Sequence, residues 1–309
     1  MAYTKHDIVI PLTVPAAQHA RYVEHYLRAT RSTGKFFLFA ADHKIEHLHD
    51  DFYGQGIPEE CANPEHLFSI ASQAPIGAFA TQLGLVARYG RPHGTLIPYI
   101  IKLNSKTNII PLSQADPVSR ALHTVKDVVN FADQSGLLVI GVGYTVYLGG
   151  EHEAEQLREA AQIIMQAHQH GLLVVLWMYP RGSAVGNERD IRMVAGAAGV
   201  GNALGADFVK INPPVASTSD HGLVSSDLLK IAVQAAGNSG LLCSGGSREN
   251  TADFLLKLHE QLHQGGVNGY AVGRNIHQRN VTEALALCNS IAAILFENAT
   301  VVQASKYLV

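Results

Sequence analysis

Short apolar runs alternate with longer amphipathic ones along almost the whole chain. Segments 36–41, 75–80, 95–103, 137–145, 172–179, 206–212, 240–243 and 269–272 are too short for helices and are bounded by glycine, proline or charge. They predict eight strands, the third interrupted by Pro98. Between them apolar residues return at helical spacing. Val118, Leu122, Val125 and Val129 follow an Asp116-Pro117 start, and 151–170 is stopped by Gly171. Ile191, Val194, Ala195 and Ala198 follow Asn187 as a cap, and 227–236, 251–263 and 281–296 complete the series. Segment 16–30 predicts one more helix ahead of the first strand. Strands separated by helices require parallel crossovers, and eight such units predict a closed (βα)8 TIM barrel. A doubly wound open sheet is the alternative, but no G-x-G-x-x-G turn follows the first strand.

With 309 residues, 47% of them hydrophobic, the chain can bury one core of barrel size. No linker-like stretch divides it, so one domain over residues 1–309 is expected, with 1–34 as an N-terminal helical extension. The formal charge is −3, from 23 basic and 26 acidic side chains that are mixed along the sequence. Neither nucleic acid nor an acidic membrane is an expected partner. Cys61, Cys243 and Cys288 are odd in number and far apart, which suits free thiols in a reducing compartment. The opening MAYTKHDIVIPLT is unlike a secretory leader, and no apolar run approaches about 18 residues. A soluble cytoplasmic protein is expected.

Unusual residues gather at the predicted C-terminal strand ends, where barrel enzymes build their sites. Lys210 sits near the end of the apolar run GADFVKINPP. A lysine there either turns its head to solvent or a carboxylate, or keeps a desolvated amine able to attack a carbonyl carbon. Lys102, in IIKLN of the third strand, has the same setting and competes for that role. Asp42 ends the first strand and Tyr179 the fifth, while Tyr144 and Tyr147 near the fourth are alternative acid/base groups. Trp177 lies two positions before Tyr179, on the same face of its strand. Ser244-Gly245-Gly246 after the seventh strand and Gly273-Arg274 after the eighth suit an anion such as phosphate. Segment 42–51 packs three histidines and four carboxylates into ten residues. His43 and His47, with Glu46, permit a metal reading; polar lining of a cleft is the other.

ADHKIEH, WMYPRG, GADFVKI, SGG and VGRN, in this order over nearly the whole barrel, resemble the archaeal-type (DhnA-type) class I fructose-bisphosphate aldolases. The resemblance implies that Lys210 forms the imine, that Tyr179 is the general acid/base and that Asp42 lies close to the imine nitrogen. It assigns the substrate phosphate to Ser244, Gly245, Gly246, Gly273 and Arg274. Lys102 becomes a charged neighbour of the nucleophile, with Trp177 and His47 beside the substrate. A phosphorylated sugar is the implied partner, no metal or organic cofactor is implied, and a homo-oligomer, often ring-based, is. Two positions depart from the family's D-H-G-x-E-H-G, where Lys44 and Leu48 replace glycines. A changed loop path is expected there, because left-handed backbone is costly without glycine. The same resemblance admits a transaldolase-like or acyl-transfer reaction on another sugar phosphate. A barrel that binds a sugar phosphate without turnover is the non-enzymatic alternative.

Overall fold

The computed structural model describes residues 3–94, 96–217 and 222–308. Its centre is a closed barrel of eight parallel strands: β1 (Phe36–Ala40), β2 (Ala78–Gln82), β3 (Tyr99–Lys102), β4 (Val139–Leu148), β5 (Leu173–Pro180), β6 (Phe208–Ile211), β7 (Gly240–Ser244) and β8 (Gly269–Val272). Each strand pairs with the next, and β8 returns to β1 through Phe36 opposite Gly269. Period-two alternation divides the side chains. Phe36, Leu38, Leu173, Val175, Phe208 and Leu242 fill the interior, while Phe37, Phe39, Val174, Leu176, Val209 and Leu241 face the surrounding helices. The predicted closed barrel is therefore the observed fold.

The helices are α1 (His19–Ala29), α2 (His43–Glu46), α3 (Glu65–Ala71), α4 (Leu83–Tyr89), α5 (Val125–Ser135), α6 (Glu153–His168), α7 (Ile191–Leu204), α8 (Ser225–Ala236), α9 (Thr251–His263), α10 (Arg274–His277), α11 (Val281–Glu297) and α12 (Val301–Ala304). No described helix is long and apolar enough to cross a membrane. The cysteines Cys61, Cys243 and Cys288 are free and buried. Helix α1 belongs to the N-terminal extension and packs beneath the barrel, with Tyr26 stacked on Phe208 at 5.4 Å between ring centroids. Tyr22 donates to Asp207 Oδ1 at 2.5 Å, and the other carboxylate oxygen faces His168 Nε2 at 3.2 Å and accepts from Val174 N at 2.6 Å. That buried knot anchors the start of β6, the strand carrying Lys210, to both α1 and β5.

Several boundaries differ from the sequence reading. Asp116 does not cap a helix; it accepts from Ser183 N at 2.6 Å and Glu151 N at 2.9 Å, tying two loops at the barrel mouth. The helix starts eight positions later, capped by Thr124 instead of Asp116, where Thr124 and Asp127 form a reciprocal capping box. Asp190 rather than Asn187 caps α7. β2 lies later than 75–80, β4 continues past 145, and α3 and α4 occupy a stretch in which no helix was expected. The expected third strand narrows to 99–102, and Thr95 lies outside the described residues.

The loop after β1 also corrects an expectation. Leu48 adopts the left-handed conformation, φ 55°, despite the cost expected for a residue other than glycine. Lys44 lies in α2, its Nζ 3.7 Å from the centroid of the Phe52 ring and within 3.1 Å of His49 Nδ1, so its charge is turned along the loop. Left-handed backbone costs a non-glycine residue roughly 1–2 kcal/mol, part of which glycine returns through its freer unfolded chain. Leu48 is exposed, so little packing is lost with its side chain. Leu48→Gly is therefore expected to raise stability by about 1 kcal/mol, measured by denaturant unfolding. An unchanged or lowered midpoint would show that the loop holds this geometry without strain.

Candidate active site

Two lysines, one aspartate and the single tryptophan meet inside the C-terminal end of the barrel. Lys210 and Trp177 are register partners across β5 and β6, both point inward, and Lys102 reaches the same level from β3. Lys102 Nζ donates to Asp42 Oδ2 at 3.1 Å, an ion pair with both side chains buried. The amines of Lys102 and Lys210 lie 4.9 and 5.2 Å from the centroid of the Trp177 ring, which forms an apolar, cation-tolerant wall beside both. Gly143 on β4 makes room for that ring, since a Cβ there would come within 2.5 Å of Trp177 Cζ3.

Burial sets the charges. It lowers the Lys210 ammonium to a pKa of about 8; Asp42 opposes the shift and the Lys102 charge adds to it. Burial also pushes the Asp42 carboxyl up, but Lys102 and then Lys210 outweigh it and hold Asp42 well below the usual carboxylate range. An ionised Asp42 thus stands beside an amine that is partly neutral near neutrality.

Tyr179 shares the inward face of β5 with Trp177 and borders the same cavity. Burial holds its phenol well above the ordinary tyrosine range, opposed by Arg181, whose guanidinium carbon lies 4.7 Å from the ring centroid. Arg181 is fixed by Glu188 at 2.7 Å and lies 3.7 Å from Glu46, which also accepts from Tyr147 at 3.4 Å. The three candidate tyrosines are therefore unlike. Tyr144 points out of the barrel and donates to Glu159, with the Ser119 carbonyl also within reach of its hydroxyl, Tyr147 belongs to the Glu46 network, and Tyr179 lines the cavity.

The loops after β7 and β8 complete the wall. Ser244 Oγ donates to Asn212 Oδ1 at 2.7 Å, and Asn275 Nδ2 donates to the Gly245 and Ser247 carbonyls at 2.9 and 3.0 Å. Gly245 N donates to the Ala271 carbonyl at 3.0 Å, so this residue offers space rather than a free donor, while Gly246 turns the chain with φ 70°. A Cβ at Gly273 would lie 2.4 Å from His43 Cε1 and 2.5 Å from the Ala40 carbonyl oxygen. His47 Nδ1 lies 2.6 Å from Asp51 Oδ2, its ring on the cavity rim. The cavity, open to solvent at the barrel mouth, is about 100 Å³ and is lined by Asp42, His47, Trp177, Tyr179, Lys210 and Arg274, with Ser244, Gly245, Gly246 and Gly273; Lys102 lies beneath it. Trp177 Nε1, His43 Nδ1 and Arg274 Nε border it as buried polar atoms without a hydrogen-bond partner. Such atoms are rare unless a ligand or water serves them.

Sequence reasoning assigned no role to Arg181, Asn212 or Asn275, and weighed Glu46 only as a metal ligand. Arg181 and Asn275 stand inside the WMYPRG and VGRN motifs, so their positions were visible; their partners, Glu188 and the Gly245 carbonyl, were not.

A parallel eight-stranded barrel with a partly deprotonated lysine at its mouth, beside an ionised carboxylate and a glycine-rich anion-type loop, defines a barrel fitted for amine nucleophilic chemistry. The chain belongs to the DeoC/LacD family of aldolases, whose profile matches residues 36–279, and it is accordingly a lyase. It is 48% identical over 302 residues to the fructose-bisphosphate aldolase/6-deoxy-5-ketofructose 1-phosphate synthase of Methanocaldococcus jannaschii, covering 98% of this chain and 94% of that one. The structure of a fructose-bisphosphate aldolase from Slackia heliotrinireducens superposes with a TM-score of 0.96 at 46% identity, covering 100% of this chain and 96% of that one. A Schiff-base-forming fructose-1,6-bisphosphate aldolase superposes with a TM-score of 0.74 at 33% identity, covering 89% of this chain and 100% of that one.

Proposed function

We propose that the chain is a class I aldolase that reversibly cleaves fructose 1,6-bisphosphate to dihydroxyacetone phosphate and glyceraldehyde 3-phosphate, with Lys210 as the imine-forming residue. The observation that carries the reading is the pairing of a buried Lys210 amine, drawn down to about 8, with Tyr179 and a ring of unpartnered polar atoms around one cavity. The neutral amine attacks the ketone carbon and gives a carbinolamine. Tyr179, neutral in the free site, donates its phenolic proton to the leaving hydroxyl; water departs, and a protonated imine and a phenolate remain. That phenolate then takes the proton of the hydroxyl one carbon beyond the bond to be cut. The carbon–carbon bond breaks into the imine, the aldehyde leaves, and an enamine is left on Lys210. Tyr179 returns the proton to the enamine carbon, and hydrolysis of the imine by water releases the second product. Asp42, ionised throughout, balances the imine charge without relocating.

The phosphate next to the ketone is assigned to Ser244, Gly246, Gly273 and Arg274, with Gly245 shaping the turn, His47 reaching substrate oxygens and Lys102, beneath the cavity, acting on Lys210 through its charge. A second acceptor for the same imine chemistry is supported by the Methanocaldococcus jannaschii relative, named also as 6-deoxy-5-ketofructose 1-phosphate synthase. Cytoplasmic location, a place in central sugar metabolism and homo-oligomeric assembly belong to the same proposal. The test is aldol cleavage of fructose 1,6-bisphosphate followed through both triose phosphates, with and without a chelator. Chelator-resistant cleavage is expected. No cleavage of this substrate alongside turnover of another ketose phosphate would replace the substrate and keep the chemistry.

A pH dependence follows from the amine. The free enzyme must hold Lys210 neutral, so kcat/KM is expected to fall tenfold per unit as pH drops below about 8. Lys102 contributes to lowering that value. Lys102→Met removes the contribution and leaves Lys210 as a cation for Asp42 to hold, so the acid limb should move to higher pH. A profile for this variant that overlies the parent would show that Lys102 does not act on the nucleophile.

A further inference from the structure

Beside the cavity, three side chains from three separate elements converge without bonding to one another. His43 opens α2, Asp51 lies in the turn after it, and His277 ends α10 beyond β8. One potential ligand atom from each lies within 4.8 Å of the other two. His277 is fully buried, and neither of its ring nitrogens has a hydrogen-bond partner; His43 Nδ1 is buried and unpartnered as well. Three buried imidazole nitrogens without a partner are hard to explain as packing. Phe52 stacks on His277 at 4.8 Å and would suit a phenyl ring equally well, so the stacking does not account for the nitrogens.

We infer that His43, Asp51 and His277 form a site for a borderline divalent cation of the Zn2+ class. Two imidazoles and one carboxylate are a common three-ligand set for such a cation, with the fourth position left to water or an incoming oxygen. Ligand atoms in a tetrahedral site stand about 3.4 Å apart, so closure requires side-chain adjustments on the order of 1 Å. The supporting shell exists already. His47 Nδ1 engages Asp51 Oδ2 at 2.6 Å and orients the carboxylate, in the manner of outer partners that set a ligand's direction. Arg274 Nη1, 3.9 Å from Asp51 Oδ1, is the competing cation that the metal displaces. Occupancy would clasp the loop after β1 to the turn after β8, two walls of the cavity joined by no strand pairing at that level. None of Lys210, Tyr179 and Asp42, the groups given steps in the imine chemistry, is among the three ligands, so the site is a clasp rather than a catalytic metal.

Tag-free protein, stripped with a chelator and titrated with Zn2+ by calorimetry, tests the inference, with Co2+ absorption as a second readout of the ligand set. The expected result is one equivalent bound by the parent, a higher melting temperature with Zn2+, and affinity weakened more than ~100-fold in His277→Phe, beyond the loss typical of an outer partner. Asp51→Asn supplies the same comparison if His277→Phe does not fold. His259 and His263 on α9, with ring centroids 4.3 Å apart, offer a surface pair, and His259→Ala is the control. No binding by the parent, binding unchanged in both site variants, or binding lost only in His259→Ala would each overturn the inference. All three outcomes leave the Lys210 chemistry untouched, because fructose 1,6-bisphosphate cleavage by stripped protein is scored separately.

Discussion

Lys210→Ala is expected to lose at least ~10⁴-fold in kcat while remaining folded, the scale on which removal of a covalent nucleophile acts. The argument for retained folding is electrostatic. Asp42 keeps its 3.1 Å bond to Lys102 when Lys210 is removed, so no buried carboxylate is left unpaired. A desolvated ammonium is lost at the same time, so thermal stability should be equal or higher, as is common when a functional group held in an unfavourable setting is deleted. Lys102 supplies the contrast. Its amine is bonded to Asp42 at the same depth, and if it were the nucleophile, Lys210→Ala would retain imine formation. Rapid quench of each variant with a ketose phosphate separates the two cases.

Tyr179→Phe is expected to lower kcat by roughly 10²–10⁴-fold, the range of a positioned acid/base group, with the imine still forming slowly. The ring and its contacts with Tyr147 and Arg181 persist in phenylalanine; only the proton carrier disappears. Tyr147→Phe should cost less, through the orientation of Glu46, and Tyr144→Phe should leave kcat near the parent, because its hydroxyl lies outside the barrel. Equal losses in the Tyr179 and Tyr147 variants would shift the proton carrier to the Glu46 network.

The barrel was legible because period-two alternation and strand length are local properties. Trp177 and Tyr179 could be placed on one face by parity alone, and Lys210 near a strand end by the proline pair that follows it. Helix starts were less legible where a tertiary partner outbids a local one. Asp116-Pro117 has the form of a cap, yet its carboxylate serves Ser183 and Glu151 from distant loops, whereas the Thr124 to Asp127 box is a purely local signal and caps the helix. Leu48 shows the converse case: a residue with a poor local preference for left-handed backbone takes it because the loop fixes its ends. In the site, the separate residues could be read from their motifs. The residues alone left Lys210 against Lys102, and Tyr179 against Tyr144 and Tyr147, as equals, and only the family resemblance chose among them, since the choice depends on which side of a strand each faces and what already binds it. His277 carries no motif signal at all; only its burial beside His43 and Asp51 gives it meaning.

The central claim is that Lys210 is the amine that becomes covalently joined to substrate. Borohydride reduction in the presence of dihydroxyacetone phosphate, followed by peptide mass spectrometry, measures this directly. The account predicts a stable adduct on the peptide carrying Lys210, absent from Lys210→Ala. An adduct on Lys102, or no adduct under conditions of active turnover, would contradict it.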